Sequence, residues 1–238
     1  MGMAMDNRRL TVGEAVRSVL FNVMFYTVTF GFGLIIPLAL PFGRGGIVWI
    51  CDRWSNIQRW GVVHILGVRV VVEGVVPGAG VLAAVKHESM FEALDLPTLF
   101  DFPAIFAKVE LLTLPAWGPA ARRYGLVPVE RDQGAKALRA MVAAARGLAK
   151  ENRPLVIFPE GTRVPHGTRP ALQSGFAGLY KLIGLPVVPI AVNSGPLLHG
   201  FWKRRGTVTY RVGEMIPAGL PRDEIEARVL AAINVLNA

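Results

Sequence analysis

The sequence holds a single cysteine and lacks the short motifs of several large enzyme classes. Cys51 has no second cysteine to pair with, which excludes an intrachain disulfide framework and a cysteine-based zinc site. A G-x-S-x-G nucleophile elbow, a Walker A loop and a G-x-G-x-x-G loop after a strand are also missing. The 4 histidines are spread along the chain without carboxylates at metal-ligand spacing. The sequence therefore predicts no metal site.

Charged side chains are scarce, and acidic ones are outnumbered. The 238 residues include 26 Lys and Arg against 17 Asp and Glu, giving a net charge of +9; 52% are hydrophobic and 18% are charged. A positive balance suits nucleic acid, acidic phospholipid headgroups or phosphorylated substrates. The basic residues are scattered and are not interleaved with stacking aromatics, which argues against nucleic acid. The composition favours a globular domain that meets a bilayer.

One long stretch near the N-terminus carries no charge. Residues 18–43 lack charged side chains, and Arg17 and Arg44 bracket them. Roughly 20 apolar residues suffice to cross a bilayer core. Gly31, Gly33, Pro37 and Pro41 in the second half favour a break, so a re-entrant or interfacial helical pair fits better than a straight span. We expect residues 1–60 to anchor the protein to a membrane; a buried core helix is the alternative.

The remainder of the chain alternates short β-branched runs with helical stretches. The predicted strands cover residues 68–72, 81–85, 105–107, 126–129, 155–158, 187–192 and 207–212. The predicted helices cover residues 89–100, 134–150, 170–183 and 221–236. Alternation with near-continuous apolar strands is typical of an α/β sheet covered on both faces. Residues 61–238 are therefore predicted to form one α/β domain.

His87 stands between a predicted strand and a predicted helix. Ligand sites in open α/β sheets lie beyond the carboxyl ends of strands, where this order places His87. Glu92 can hold one tautomer of His87, so that the other ring nitrogen is a base for a hydroxyl group. Glu88 is a rival partner, and Ser89-x-x-Glu92 is also a capping box, in which Glu92 would only bond the helix backbone. The spacing leaves these alternatives open.

A Phe-Pro-Glu-Gly-Thr-Arg string directly follows another predicted strand. Gly161 permits a turn with positive φ that exposes backbone N–H groups, and Thr162 adds a hydroxyl. Arg163 offers a planar fork that matches phosphate. Arg131 and Lys108 follow two further strand ends, so the three cations can converge on one anionic group. A tight loop with an exposed arginine is the plain alternative.

Four blocks of the sequence together resemble the glycerolipid acyltransferases. They occupy residues 86–92, 129–131, 158–163 and 187–193, in the family's order and with its rough spacing. The resemblance implies a mostly parallel mixed sheet flanked by helices, of the glycerol-3-phosphate acyltransferase type. It also implies acyl transfer from acyl-CoA or acyl carrier protein to 1-acyl-sn-glycerol-3-phosphate, giving phosphatidic acid.

The resemblance assigns a role to each matching residue. His87 would deprotonate the acceptor hydroxyl, with Glu92 as its acidic partner. The acceptor-phosphate site would take residues from the other blocks, with Lys108 matching more loosely: Arg131, Glu160, Gly161, Thr162 and Arg163. The family has aspartate where this chain has Glu92, one methylene longer. Neither a metal nor a bound cofactor is expected.

The expected partners are a phospholipid bilayer, a lysolipid acceptor and the acyl thioester donor. The expected location is the inner cell membrane with the catalytic domain facing the cytoplasm, because acyl thioesters are made there. The alternatives are acyl transfer to another lysolipid such as lyso-ornithine lipid, a non-catalytic lipid-binding homologue, and a hydrolase.

Overall fold

The computed structural model describes residues 10–114, 117–129 and 134–237. Within them, two helices and two strands are followed, from the second strand onward, by alternating helices and strands. The strands are β1 (Val68–Glu73), β2 (Leu82–Val85), β3 (Ala104–Lys108), β4 (Val127–Val129), β5 (Leu155–Ile157), β6 (Val187–Val192) and β7 (Gly206–Val212). The helices are α1 (Val12–Ala39), α2 (Gly43–Trp60), α3 (Met90–Leu99), α4 (Trp117–Tyr124), α5 (Gly134–Lys150), α6 (Ser174–Ile183), α7 (Gly195–Leu198) and α8 (Arg222–Ile233).

The strands form one mixed sheet in the order β1-β7-β6-β2-β5-β3-β4. The five strands from β6 to β4 run parallel, whereas β7 is antiparallel to β6 and β1 is parallel to β7. The predicted mostly parallel mixed sheet is confirmed. The carboxyl ends of the five parallel strands meet at one edge, called here the carboxyl edge. The antiparallel strands β7 and β1 begin at this same edge.

Successive strand residues point to opposite sides of the sheet, and apolar side chains on both sides are buried. Helices therefore cover both faces. Ala83 and Val85 pack into a core shared with α1, α2, α3 and α4. Leu82 and Ala84 pack into a second core with α5, α6 and α8. All residues of β2 and β6 are buried, which is why these strands read as unbroken apolar runs.

The two N-terminal helices form the expected pair. A capping box of Thr11 and Glu14 starts α1, and a 3₁₀ turn at Leu40–Phe42, which contains Pro41, separates α1 from α2. The break expected from Pro37 is not seen, because α1 continues through that residue to Ala39. Phe21 faces the core of the domain, whereas Phe30 on the opposite side is 70% exposed. In the described chain, Val12–Ile65 is a helical run long and apolar enough to cross a membrane. Its outer face is thus not that of a buried core helix.

Helix α2 is fixed to α3 by polar contacts. The Ser55 hydroxyl donates to the Leu94 carbonyl at 2.7 Å, and Arg59 Nε lies 3.0 Å from Asp95 Oδ1. These contacts attach the N-terminal pair to the helix that carries Glu92. The pair and the α/β part therefore share one core.

Several element boundaries differ from the prediction. Helix α4 begins with Trp-Gly-Pro and was not predicted, although proline is tolerated in a first helical turn. Helix α6 begins at Ser174, because the preceding residues form a loop in which the Gln173 amide donates to the Pro159 carbonyl at 2.9 Å. Helix α8 ends at Ile233, and Asn234 then turns inward to bond Lys86.

Candidate active site

The carboxyl edge gathers the candidate residues from neighbouring strands. His87 follows β2, the Glu160–Arg163 string follows β5, and Lys108 ends β3. Since β2, β5 and β3 are adjacent in the sheet, these residues lie on one side of the molecule. The rule that open α/β sheets place sites beyond their strand ends holds here.

His87 and Glu92 form a dyad. Nδ1 of His87 lies 3.2 Å from Oε2 of Glu92, whose side chain is wholly buried, while the imidazole is 15% exposed. A carboxylate only accepts hydrogen bonds, so it favours the tautomer with hydrogen on Nδ1. Nε2 then keeps its lone pair for a substrate proton.

Glu92 is at the same time the capping residue of α3. Oε2 also accepts the Ser89 amide at 3.0 Å, and Ser89 Oγ accepts the Phe91 amide at 3.1 Å. The two uses of Glu92 that the sequence leaves open are therefore both realised. Capping fixes the carboxylate that holds His87.

The second oxygen of Glu92 is held from a different part of the chain. Oε1 accepts a hydrogen bond from the hydroxyl of Ser194, which follows β6 and is fully buried. Ser194 Oγ lies 2.8 Å from Ser89 Oγ, which is itself 3.3 Å from Oε1. Both carboxylate oxygens are thus occupied, which restricts the longer glutamate side chain to one position.

The main chain and the ring of His87 are also fixed. Its amide donates to Glu160 Oε2 at 3.0 Å, and its carbonyl accepts the Val164 amide at 2.8 Å. Its ring stacks on Phe158 with centroids 4.1 Å apart and planes at 22°. A base held at so many points is preorganised for proton transfer.

Lys86 and Glu160 form a buried ion pair behind the dyad. Both side chains are fully buried, with Nζ of Lys86 2.6 Å from Oε1 of Glu160. The amine also donates to Asn234 Oδ1 at 2.8 Å and to the Thr168 carbonyl at 3.2 Å. Both oxygens of Glu160 face inward, so the contacts seen are structural. Direct contact of Glu160 with an acceptor stays a prediction.

Glu88 contacts His166 and does not contact His87. Its oxygens lie 2.9 and 3.1 Å from His166 Nδ1, and one of them accepts the Gly195 amide at 2.8 Å. Burial raises the pKa of the Glu88 carboxyl, while the Gly195 N–H and His166 oppose that rise. Glu88 thereby joins the loop after β5 to the start of α7.

The loop that begins at Gly161 presents its polar groups outward. Gly161 has a φ of 67°, the left-handed conformation that glycine adopts without strain. Thr162 and Arg163 are exposed, whereas Val164 is buried and bonded to the His87 carbonyl. Burial lowers the pKa of Lys203 to about 8, and the nearby Arg163 guanidinium lowers it as well. The loop therefore adds positive charge beside the dyad.

The other two predicted cations are Lys108, which lies farther along the sheet, and Arg131. Lys108 is exposed at the end of β3, two strand spacings from β2, or roughly 10 Å at about 4.8 Å per spacing. Arg131 lies outside the described residues, although β4, which precedes it, neighbours β3.

Several supporting residues were missed from the sequence. Lys86 and Glu88 flank His87, but their partners are 74 and 78 positions away in sequence. One feature of the sequence could have pointed to Ser194 as a site residue: it is a hydroxyl residue just beyond the carboxyl end of β6. Among the residues that the structure describes, no three His, Cys, Asp or Glu side chains are grouped to hold a metal.

A histidine–carboxylate pair beside a cationic loop, at the carboxyl edge of a mixed α/β sheet, is compatible with an enzyme that uses a histidine base on an anionic substrate. The profile of the family described as Acyltransferase matches residues 67–193. The chain belongs to this Acyltransferase family.

Proteins with known names and structures are similar over most of the chain. The 1-acyl-sn-glycerol-3-phosphate acyltransferase of Pseudomonas aeruginosa is 30% identical over 202 residues, covering 83% of this chain and 77% of that protein. The human 1-acyl-sn-glycerol-3-phosphate acyltransferase alpha is 27% identical over 220 residues, covering 87% and 76%. The crystal structure of the 1-acyl-sn-glycerophosphate (LPA) acyltransferase PlsC from Thermotoga maritima superimposes with a TM-score of 0.70 at 20% identity, covering 94% of this chain and 98% of that one. This last similarity concerns the fold.

Proposed function

We propose that this protein transfers a fatty acyl group from an acyl thioester to the free hydroxyl of 1-acyl-sn-glycerol-3-phosphate, forming phosphatidic acid for phospholipid synthesis. The observation that carries the proposal is the His87–Glu92 dyad, 3.2 Å between Nδ1 and Oε2, beside the exposed Arg163 loop. The names of the relatives support the choice of acceptor.

The proposed reaction needs one base that later acts as an acid. Nε2 of His87 removes the hydroxyl proton as the acceptor oxygen attacks the thioester carbonyl. The carbon–sulfur bond then breaks, and the imidazolium returns the proton to the departing thiolate sulfur. Glu92 keeps Nδ1 protonated and stabilises the transient positive charge on the ring. A positioned base of this kind contributes roughly 10²–10⁴-fold to the rate.

The phosphate of the acceptor would be held by the loop after β5. Arg163 can form two parallel hydrogen bonds to a phosphate, and the exposed Thr162 hydroxyl adds a further donor. The Gly161 amide donates to the Phe158 carbonyl at 2.9 Å, so Gly161 shapes the turn that presents these two side chains. We assign Lys108 and Arg131 to the outer part of this site. Fixing the phosphate brings the hydroxyl to His87 and makes the encounter nearly intramolecular.

The acyl donor is proposed to be acyl-CoA or acyl carrier protein, used as a co-substrate. The thioester supplies its own leaving group, and the dyad supplies the proton transfers. The proposed chemistry therefore requires neither a metal nor a bound cofactor.

We further propose that residues 1–60 hold the enzyme on a membrane, while residues 61–238 form the catalytic domain. Nonpolar side chains on the outer face of α1 are well exposed, including Val23 at 60% and Leu34 at 62%. Lysolipid acceptors reside in bilayers, and acyl thioesters are made in the cytoplasm. The inner cell membrane with the catalytic domain facing the cytoplasm satisfies both conditions.

An acceptor panel tests this function. Purified wild type would be given palmitoyl-CoA or palmitoyl carrier protein with lysophosphatidic acid, lysophosphatidylcholine or lyso-ornithine lipid. We expect phosphatidic acid as the main product. Arg163→Ala should raise the KM for lysophosphatidic acid about 10–100-fold, the value of a charged hydrogen-bond pair. Arg228→Ala, at an exposed arginine of α8, is the matched control.

Other outcomes of the panel would overturn the proposal. If wild type preferred lyso-ornithine lipid and Arg163→Ala left the KM for lysophosphatidic acid unchanged, lyso-ornithine lipid would replace lysophosphatidic acid as the assigned acceptor. Free fatty acid released without acceptor would indicate a hydrolase. No turnover with either donor would favour a non-catalytic lipid-binding protein.

A further inference from the structure

The loop between α7 and β7 exposes two large aromatic side chains. Phe201 and Trp202 are each 51% exposed, and their rings contact one another edge to face with centroids 4.8 Å apart. Residues 199–205 are called the aromatic loop below. Half-exposed neighbouring aromatics form an apolar patch that invites an apolar partner.

Hydrogen bonds fix the aromatic loop to helix α1. The Lys203 amide donates to Ser18 Oγ at 2.8 Å, and Ser18 Oγ lies 3.2 Å from the Lys203 carbonyl. One helical turn further on, Asn22 Nδ2 donates to the Phe201 carbonyl at 3.3 Å. The position of Phe201 relative to α1 is therefore set by the fold.

This attachment places the aromatic pair beside the exposed apolar face of α1. On an α-helix, the residues three before and four after a given residue lie on the same side. For Asn22 in α1 these positions are 19 and 26. They are Val19 and Tyr26, which are 44% and 65% exposed. The apolar surface of α1 thus continues sideways onto Phe201 and Trp202.

Positive charge accompanies this apolar surface. The segment 194–213 contains no Asp or Glu, whereas Lys203, Arg204 and Arg205 follow Trp202 directly. Lys203 is buried and its amine donates to the Leu198 and Gly200 carbonyls, so Arg205 provides the exposed charge. The guanidinium groups of Arg205 and Arg17 both lie next to Gly67. A Cβ atom added to Gly67 would be 3.0 Å from Arg205 Nε and 3.3 Å from Arg17 Nη1. The nearest acidic group from α1 is the buried Glu14, which lies 3.4 Å from the Arg205 amide. Tryptophan and phenylalanine next to an exposed arginine match the headgroup level of an anionic bilayer.

The aromatic loop also lies at the same edge as the dyad. Strand β7 runs antiparallel to β6, so the loop that precedes β7 lies at the carboxyl edge. Lys203 in this loop is close enough to Arg163 to respond to its charge. A bilayer that contacts Trp202 would therefore lie beside the proposed phosphate loop.

We infer that the aromatic loop docks on the surface of an anionic phospholipid bilayer, as a second contact beside α1, and thereby positions the Arg163 loop to receive an acceptor from the membrane. The docking stands on the aromatic pair, the basic residues and the bonds to α1. The delivery of acceptor rests on the proposed function.

Spin-label quenching tests the docking independently of activity. A fluorescent nitrobenzoxadiazole label would be placed at Trp202→Cys in a full-length Cys51→Ala background, and the protein reconstituted in phosphatidylcholine/phosphatidylglycerol vesicles containing shallow doxyl-labelled lipid. The matched control probe is at Met215→Cys, because Met215 is 59% exposed but follows β7 at the opposite edge of the sheet. We expect strong quenching at position 202 and little at 215, with less quenching at 202 in pure phosphatidylcholine or high salt.

Equal quenching at the two positions, or none at 202, would overturn the docking. Shielding of the 202 probe by self-association without lipid quenching would assign the surface to a second copy of the chain, and would also overturn it.

An activity comparison tests the delivery of acceptor. Phe201→Ser/Trp202→Ser should lose about tenfold or more of its rate on vesicle-borne lysophosphatidic acid, the expected scale for removing two apolar contacts. The same variant should keep its rate on a short-chain acceptor in detergent, and Met215→Ser should keep both. An equal loss in both assays would overturn the delivery role. Wild type inactive in both would instead overturn the proposed function, leaving the quenching result to decide the docking.

Discussion

The His87 amide donates to Oε2 of Glu160 at 3.0 Å, which joins the histidine block to the Glu160–Arg163 block. The other oxygen of Glu160 holds Lys86, the residue before His87. Glu160 therefore fixes the positions of these two segments, which are far apart in sequence, relative to each other. The proposed base and the proposed phosphate loop are thus positioned by the same buried carboxylate.

The first prediction concerns this buried ion pair. Lys86→Met leaves the Glu160 carboxylate buried without a cation, so the free energy of unfolding should fall by about 3–5 kcal/mol. Thermal and denaturant unfolding in detergent would measure it. Lys86→Met/Glu160→Gln should recover part of the loss. Glu73→Gln, which breaks an exposed pair with Arg211, is the control and should cost less than about 1 kcal/mol. A Lys86→Met protein as stable as wild type would contradict the role given to the pair.

The second prediction concerns the carboxylate that holds His87. Glu92→Gln should lower kcat by at least about a hundredfold, because a neutral amide neither fixes the Nδ1 proton as well nor stabilises the imidazolium. Ser194→Ala should lower kcat about fivefold, the scale of one hydrogen bond. Aspartate is one methylene shorter and should lose contact with Ser194. The Ser194→Ala effect should therefore shrink in a Glu92→Asp background, and an unchanged effect there would argue against this positioning.

The third prediction concerns Glu88 and His166. Either Glu88→Ala or His166→Ala releases the contact that holds the loop after β5, so each should raise the KM for the acceptor more than it lowers kcat. Because the two residues act through one contact, the double variant should be little worse than the poorer single one. Steady-state kinetics over a range of acceptor concentrations separates the two constants. A fall in kcat with an unchanged KM would place the pair at the chemical step instead.

The fourth prediction concerns pH and Asp95. Burial raises the pKa of this carboxyl from 3.8 to about 6, although Arg59 opposes the rise. The folded protein thus binds more protons than the unfolded chain between these values, so this group's contribution to stability is full below about pH 4 and is lost as pH rises towards about pH 6. Asp95→Asn removes that dependence.

Unfolding of wild type and Asp95→Asn in detergent, from about pH 4 to about pH 7, checks the sign. The stability of wild type relative to the variant should fall across the window by up to about 3 kcal/mol, the equivalent of the cited pKa rise. A difference that rises with pH would show that the Arg59 charge outweighs the burial of Asp95.

Much of the sheet was predictable because its strands are short β-branched runs with clear ends. The dyad was predictable as well, since His87 and Glu92 are 5 positions apart and spacing alone can bring them together. Capping and catalysis looked like alternatives from the sequence, but Oε2 of Glu92 accepts the Ser89 amide and contacts His87 Nδ1 at the same time. Local pattern sufficed wherever the partners were local.

Long-range partners were not predictable. Ser194 and Glu92 are 102 positions apart, and Asn234 and Lys86 are 148 apart, so only the folded chain brings them together. The resemblance to the glycerolipid acyltransferases assigned Glu160 to the acceptor site. The sequence shows that a residue is charged, but it does not show which way the side chain points. In the fold the Glu160 carboxylate points towards Lys86.

The central claim is that His87 is the base for acyl transfer. The most direct measurement is the rate of phosphatidic acid formation from palmitoyl-CoA and lysophosphatidic acid by purified wild type, His87→Ala and His64→Ala in detergent. His64 is an exposed histidine beside Trp60, away from the dyad, and is the matched control. The account predicts a loss of about a hundredfold or more for His87→Ala and a near-normal rate for His64→Ala. A folded His87→Ala protein that keeps the wild-type rate would contradict it.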